Sequence, residues 1–277
     1  IILTGDIVYP NSAFTGSSDN LSALKIIINM MEKYKTPWTM CFGNHDAEYM
    51  ADYGKSALCD LLEDEKYSYC LFKRGPDNIG GMGNQVINIY NADDTFNSSI
   101  FVFDNGEYAG ATQSSGYNPI SDEQTDWYKS EIEKMNAGEG KTILSFAYFH
   151  VPLKEYKIAW DLYRDGNNAV KYVYGWANEN GENISSPSER GKFFDTAVEL
   201  GSTKAMFCGH NHLNDFSIEY QGVRLTFTKS IDYIAYFLQG IANKTEQRGS
   251  TTLIIKGLDS SMTSDFDIYN TKLTDIE

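Results

Sequence analysis

The chain has only four histidines, and each follows a short apolar run at a point where a β-strand is expected to end. They are His45, His150, His210 and His212. Neutral imidazole is the commonest side-chain ligand for metals in proteins. A chain that places all its histidines at strand ends is therefore predicted to build a metal site there.

Two oxygen donors occupy comparable positions. Asp6 ends the apolar run at residues 1–6, and Asn44 follows the run at 38–42. A helix capped by Asp19 is predicted between these strands, and a strand–helix–strand unit predicts a parallel sheet. Ligands of such sheets bind beyond the carboxyl ends of the strands, where Asp6 and Asn44 would lie side by side.

Carboxylate, amide and imidazole ligands suit a pair of divalent or trivalent cations, with manganese, iron and zinc about equally compatible. A carboxylate such as Asp6 can bridge two metals. Metals ~3.5–4 Å apart clamp a phosphoryl group and acidify a bridging water toward hydroxide. A histidine that binds no metal can then protonate the leaving oxygen.

Each donor also has a purely structural interpretation. His150 could be a hydrogen-bonded core residue, Asp6 a turn cap and Asn44 a turn residue with positive φ. The His-Asn-His pair could be a simple hydrogen-bonding pair. Taken together, the motifs favour metal ligation, whereas Asp46 is expected to support its loop rather than touch substrate.

Composition narrows the function classes. The chain has 277 residues and a formal net charge of -15, which disfavours broad binding to nucleic acid or anionic membranes. No apolar run is long enough to span a bilayer, and no linker or repeat divides the chain, so a single domain over 1–277 is predicted. A small phosphorylated substrate would need bound cations, and the compartment stays open between cytoplasmic and extracytoplasmic.

The four cysteines contain no Cys-x-x-Cys pair. Cys41 and Cys208 lie in apolar runs and are expected to be buried thiols. Cys59 and Cys70 could pair, which the sequence leaves open.

The remaining pattern alternates strands and helices, which predicts an α/β fold. Residues 154–188 are aromatic and rich in glycine and asparagine, so a long loop that walls the site is predicted there. Helices are expected at about 48–62, 121–135 and 187–200, and strands at 85–90, 99–103, 142–149, 204–208, 215–220, 223–228, 251–255 and 266–269.

These motifs resemble those of the calcineurin-like metallophosphoesterases. The matching segments are Gly5-Asp6, Gly43-Asn44-His45-Asp46, the lone His150 and Gly209-His210-Asn211-His212. Longer stretches at 149–156, 184–187 and 207–216 are similar to the purple-acid-phosphatase-like phosphohydrolases. The resemblance spans roughly residues 1–230 and implies a four-layer α/β/β/α sandwich of two mixed sheets.

The resemblance also implies a role for each residue. Asp6 would bridge two metals, and Asn44, His150 and His210 would bind one of them. His212 would bind the other metal. His45 would contact the transferring phosphoryl group and assist the leaving oxygen, so that phosphate monoesters are hydrolysed. A phosphodiesterase or nucleotidase activity is the alternative within the same class.

One family motif, Asp-x-His, occurs nowhere in the chain, although it would supply two ligands beside His212. Because the chain opens within an expected strand, we expect that motif to precede residue 1 and the domain to be N-terminally incomplete. The alternative is a single bound metal in a catalytically impaired, metal-binding interaction protein.

Two further features refine the resemblance. Tyr9 lies three residues after Asp6, the spacing of the tyrosinate ligand of purple acid phosphatases. It is expected to be either a metal ligand or a pocket wall. The Asp-Arg-Gly that follows Gly-Asp in Ser/Thr protein phosphatases is absent, which disfavours that branch.

Overall fold

The structure, a computed structural model, describes residues 1–110, 113–179, 181–231, 248–258 and 261–273. The strands are β1 Ile2–Leu3, β2 Thr39–Met40, β3 Gln85–Tyr90, β4 Phe96–Val102, β5 Leu144–Tyr148, β6 Val170–Tyr174, β7 Thr203–Cys208, β8 Ser217–Tyr220, β9 Val223–Phe227, β10 Gly249–Ile255 and β11 Phe266–Lys272. The helices are α1 Ser12–Thr15, α2 Asn20–Tyr34, α3 Lys55–Leu62, α4 Asp122–Glu139, α5 Lys154–Arg164 and α6 Phe193–Leu200.

A seven-stranded mixed sheet forms the centre of the molecule, in the order β3-β4-β5-β7-β9-β8-β6. Its four middle strands, β4, β5, β7 and β9, run parallel, and the other three pair antiparallel. The carboxyl ends of β4, β5 and β7 therefore share one edge of the sheet. His150 and His210 both leave the sheet at that edge.

The second β-layer is made of smaller pieces. β1 pairs in parallel with β2, and β10 pairs antiparallel with β11. Residues such as Cys41, Phe146, Phe207 and Ile268 form the buried core between this layer and the large sheet. The parallel pairing of β1 and β2 confirms the predicted strand–helix–strand unit.

Helices cover both outer faces. α2 and α3 pack with β2 through a cluster that includes Ile28, Met40 and Leu58. α4, α5 and α6 cover the large sheet through an aromatic core around Phe103, Tyr128 and others. This arrangement confirms the α/β class and the four layers. Among the described residues, however, the second β-layer consists of two separate pairs rather than one continuous mixed sheet.

The predicted long loop at 154–188 was wrong. Its first part is helix α5, and β6 follows at the edge of the large sheet. The stripe Tyr156, Ala159, Trp160 and Tyr163 has helical spacing, and its inner members are fully buried. The stripe was missed because tyrosine, tryptophan and alanine carry the apolar signal instead of leucine or isoleucine.

The helix predicted at about 48–62 begins only at Lys55, with Gly54 as its N-cap. The residues before it form turns close to Asn44 and His45. The capping box predicted at Ser121 and Gln124 is present at the start of α4.

The pairing left open for Cys59 and Cys70 is not formed. All four cysteines are free thiols, and Cys41 and Cys208 are fully buried, as predicted.

Replacing Ile28 by Ala should lower the free energy of unfolding by ~2–5 kcal/mol, because the side chain is completely buried between α2 and β2. The matched control is Ile26→Ala on the same helix, where the side chain is 69% exposed. Urea denaturation should show a change of at most about 0.5 kcal/mol for the control. Equal losses in the two variants would contradict the packing of α2 described above.

Candidate metal centre

Two glycines allow the first two loops to meet. After β1 the chain turns through Gly5 and Asp6, whose φ angles of +86° and +52° lie in the left-handed region. A Cβ at Gly5 would overlap Nδ1 of His150, and one at Gly43 would overlap the carboxylate of Asp6. The strained turn therefore brings Asp6 against the other loops, and strain of this kind is concentrated at functional sites.

The buried carboxylate of Asp46 holds these loops together. It accepts hydrogen bonds from the backbone N–H groups of Gly43 at 2.7 Å, Val8 at 2.9 Å and Asp6 at 3.1 Å. Burial and the neighbouring charge of Asp6 raise the pKa of Asp46 to about 6. Asp46 thus supports the loop, as its position in the sequence predicted.

Four electron-pair donors converge beside these loops. Nδ1 of His150 lies 2.7 Å from the carbonyl oxygen of Thr4, so this nitrogen carries the ring proton. Nε2 therefore presents a lone pair to the site. Nε2 lies 3.1 Å from Oδ1 of Asn44 and 3.1 Å from Oδ2 of Asp6. Nδ1 of His210 lies 3.2 Å from the same Nε2. The structure therefore brings together four of the predicted ligands.

The electrostatics of the group favour a positive charge at its centre. Burial opposes ionisation of Asp6, yet His150 holds the pKa of Asp6 below its ordinary value. Burial also opposes the charged form of His150, but Asp6 raises the pKa of His150 above its ordinary value. Burial, followed by the charge of His150, lowers the pKa of His210. The group therefore stabilises one positive charge, and it disfavours a further proton on His210.

These residues fit a metal ion. Ligand atoms of Asp6, His150 and His210 all lie within 4.8 Å of one another. Although Nε2 of His150 is close to Oδ2 of Asp6, the alignment makes no hydrogen bond, and Oδ2 is buried with no hydrogen-bond partner among the described residues. A buried carboxylate oxygen surrounded by lone pairs needs a cation, and carboxylate, amide and imidazole donors suit manganese, iron or zinc.

His45 lies on the solvent side of this group. Its backbone N–H donates to Oδ1 of Asp6 at 2.8 Å, and its side chain is 24% exposed. Nδ1 of the ring is 2.8 Å from Oε2 of Glu48. Tyr9 is 40% exposed and packs its ring edge against His45, with the ring centroids 4.8 Å apart. Tyr9 therefore contributes to the wall of the site, and metal ligation by its hydroxyl stays a prediction.

His212 is outside the group of ligand atoms that meet within 4.8 Å. The loop that carries it is nevertheless firmly held. Asn211 is buried, donates to Oε1 of Glu179 at 2.8 Å and accepts from the backbone N–H of Ser185 at 3.0 Å. The φ angle of His210 is +67°, so this loop, like that of Asp6, is strained at the site. The role of His212 as a ligand of a second metal stays a prediction.

Four neighbouring residues were missed in the sequence: Glu48, Asn105, Tyr108 and Tyr117. Oδ1 of Asn105 accepts from the backbone N–H groups of His150 and Val151, each at 3.0 Å. The Tyr117 ring packs edge-on against His210, with centroids 4.5 Å apart. Asn105 belongs to the run Asp-Asn-Gly, which follows β4. A polar residue just after a strand is the same sequence signal that identified Asp6 and Asn44.

The geometry agrees with the comparison to known proteins. A model of the calcineurin-like phosphoesterase family matches residues 1–214. The chain belongs to the calcineurin-like phosphoesterase family. The resemblance predicted from the motifs is thereby confirmed.

Curated relatives in this family include a protein of Arabidopsis thaliana named "Probable inactive purple acid phosphatase 29". It is 28% identical over 253 residues, which cover 85% of this chain and 60% of the relative. "Phosphatase DCR2" of Saccharomyces cerevisiae is 28% identical over 228 residues, covering 79% of this chain and 36% of that protein. The chain thus spans about 60% of the length of the Arabidopsis relative and about a third of the length of the yeast relative.

A solved structure shares the fold. The dimetal phosphatase from Danio rerio superimposes with a TM-score of 0.52 at 12% identity, covering 82% of this chain and 71% of that chain. This likeness supports the layered α/β architecture described above for this chain. Within the described residues, none of the helices is long and apolar enough to cross a membrane.

Replacing Asp46 by Asn should lower the free energy of unfolding by about 1–3 kcal/mol. The two carboxylate oxygens of Asp46 accept three backbone hydrogen bonds, whereas an amide would turn a donor toward one of those N–H groups. Urea denaturation measures the loss, with exposed Asp52→Asn as the matched control. Equal stability of the two variants would show that Asp46 does not brace the loops.

Proposed function

We propose that this calcineurin-like phosphoesterase hydrolyses phosphate monoesters with metal held by Asp6, Asn44, His150 and His210. The observation that carries the proposal is the convergence of lone-pair donors from Asn44, His150 and His210 beside a buried carboxylate oxygen of Asp6 that has no hydrogen-bond partner among the described residues. Bound metal ions supply Lewis-acid activation of the phosphoryl group and of the attacking water.

The second metal position is less complete in this chain. Asp6 would be shared between the two positions, and His212 would belong to the second one. Because the chain has no Asp-x-His, only these two side chains are assigned to that position. The metals would be manganese, iron or zinc.

His45 is the proton donor in this proposal. Its ring is partly exposed, and its backbone is tied to Asp6, so the ring lies beside the metal ligands rather than among them. Contact between Nδ1 and Glu48 leaves Nε2 as the nitrogen that can serve the leaving oxygen. The rings of Tyr9 and Tyr117 limit the space around His45 and His210.

Charge favours a small substrate. A net charge of -15 repels polyanions, so local cations must attract the phosphate. An open cavity of about 320 Å³ lies among residues that flank the site, and none of the proposed metal ligands lines it. Its lining residues are Ala47, Lys55, Ser56, Gly81, Met82 and Glu107.

A metal-binding interaction protein without catalysis is the second candidate. It is favoured by the word "inactive" in the names of three plant relatives. Metal binding without turnover of any phosphate ester would support it. Within the enzyme class, faster turnover of a bis-aryl phosphodiester than of an aryl monoester would favour the phosphodiesterase alternative.

The test is His210→Ala, which removes one of the four converging donors. We expect hydrolysis of an aryl phosphate by the manganese-loaded chain to fall to background, and bound manganese, measured by elemental analysis, to fall with it. The matched control is Lys204→Ala, an exposed side chain on β7, the strand that leads to His210, and its turnover should match the wild type. Unchanged turnover in His210→Ala would overturn the proposed function, provided that urea denaturation shows both variants folded.

A further inference from the structure

Glu48 and Tyr108 connect a metal ligand to the proton donor, and this connection has no role in the site as proposed so far. Nδ2 of Asn44 donates to the Tyr108 hydroxyl at 2.9 Å, and that hydroxyl donates to Oε1 of Glu48 at 3.0 Å. The other oxygen of Glu48, Oε2, is 2.8 Å from Nδ1 of His45. One carboxylate thus terminates two hydrogen-bonded chains.

We propose that Glu48 is a positioning residue for both halves of the reaction. Through Tyr108 it turns the amide oxygen of Asn44 toward the metal, and directly it holds the Nδ1–H group of His45, so that Nε2 carries the proton for the leaving oxygen. This inference rests on the proposed function, since it assigns Asn44 to the metal and His45 to the leaving oxygen.

The first hydrogen-bonded chain, from Asn44 through Tyr108 to Glu48, follows from counting protons. A carboxylate only accepts hydrogen bonds, so the single proton of the Tyr108 hydroxyl points to Glu48. The hydroxyl oxygen can then only accept from Asn44, which must present its NH₂ group. Oδ1 of Asn44 is thereby directed to Nε2 of His150, 3.1 Å away. A flipped amide would place N–H groups against the metal and against that nitrogen.

The second hydrogen-bonded chain, from Glu48 to Nδ1 of His45, fixes the orientation of the imidazole ring. The Glu48 side chain is only 10% exposed, so water competes little for its oxygens. Because Oε2 accepts, Nδ1 of His45 carries one hydrogen, and the proton that goes to the leaving oxygen comes from Nε2 of the doubly protonated ring. This arrangement follows the general rule that a carboxylate behind a functional imidazole sets its tautomer and ring orientation.

The backbone holds both partners of the network in place. Glu48 lies three residues after His45, and its N–H donates to the carbonyl oxygen of His45 at 3.3 Å. Tyr108 comes from the loop after β4, where it forms an isolated bridge with Tyr117 and packs against it with ring centroids 5.5 Å apart. Asn118 adds a hydrogen bond to the Tyr108 carbonyl oxygen.

The variant Tyr108→Phe distinguishes between the two hydrogen-bonded chains, because it breaks only the first. It removes the hydroxyl but leaves Glu48 on His45, so Asn44 loses its orientation while the tautomer of His45 stays. We expect ~10–100-fold weaker manganese binding, the cost typical of losing such an outer partner, with the dependence of rate on the leaving group unchanged. Manganese titration followed by electron paramagnetic resonance measures binding, and the control is Tyr49→Phe, whose side chain is 80% exposed.

Glu48→Gln is the complementary variant. A glutamine has one acceptor oxygen and one NH₂ group, so it satisfies either Tyr108 or His45 in the wild-type manner but not both. If its NH₂ group faces His45, Nδ1 must accept it, and ¹⁵N NMR will show the only ring proton on Nε2. The ring is then neutral, and giving up that proton would leave an imidazolate, so kcat should fall ~10²–10⁴-fold for an alkyl phosphate and much less for a dinitrophenyl phosphate, which needs no proton donor. If its NH₂ group faces Tyr108, manganese binding will weaken as in Tyr108→Phe.

The control for Glu48→Gln is Glu65→Gln at an exposed position, which should change none of the readouts. Wild-type manganese affinity in Tyr108→Phe would overturn the inference. So would a Glu48→Gln variant that keeps both the manganese affinity and the His45 tautomer, or that loses rate equally with all leaving groups. If the wild-type chain binds manganese but hydrolyses no ester, the proposed function fails, while manganese titration and ¹⁵N NMR still decide the inference.

Discussion

The carboxylate of Asp6 is confined among side chains that offer it lone pairs rather than protons. Nε2 of His150 is 3.1 Å from its Oδ2, and that oxygen is buried without a hydrogen-bond partner among the described residues. Such a group is unfavourable in a protein interior unless a positive charge joins it. Asp6 raises the pKa of His150 although burial opposes the charged form, so the site attracts positive charge. A metal ion bound there would compete with a proton on His150, which couples metal binding to proton release.

The rest of the site keeps these donors from moving apart. The carboxylate of Asp46 is buried by the loops after β1 and β2 and holds them with three backbone hydrogen bonds. Asn105 fixes the turn after β5 in a similar way, through the backbone of His150. Because these braces are themselves buried, they hold the donors in fixed relative positions. Preorganisation of this kind lowers the entropic cost of binding.

The two β-layers provide the common edge where the donors meet. β5 and β7 deliver His150 and His210 from the large sheet, while β1 and β2 deliver Asp6 and Asn44 from the smaller layer. Side chains that lie up to about two hundred positions apart in the chain therefore reach one point. The loop after β4 crosses the same edge and brings Tyr108 and its neighbours against the donors.

The sequence alone determined the family and the layered α/β class and predicted four side chains that the structure brings together, because strand-end motifs such as Gly-Asn-His-Asp combine residue type with position. It also indicated that Asp46 supports its loop. It did not reveal α5, whose buried stripe is carried by tyrosine, tryptophan and alanine, nor the late start of α3. Only the tertiary structure decided that Asp6, Asn44, His150 and His210 meet while His212 lies outside their group, and that Glu48 joins Asn44 to His45 through Tyr108. The physical reason is that a hydrogen bond depends on distances of about 3 Å between segments whose separation along the chain carries no information about their approach.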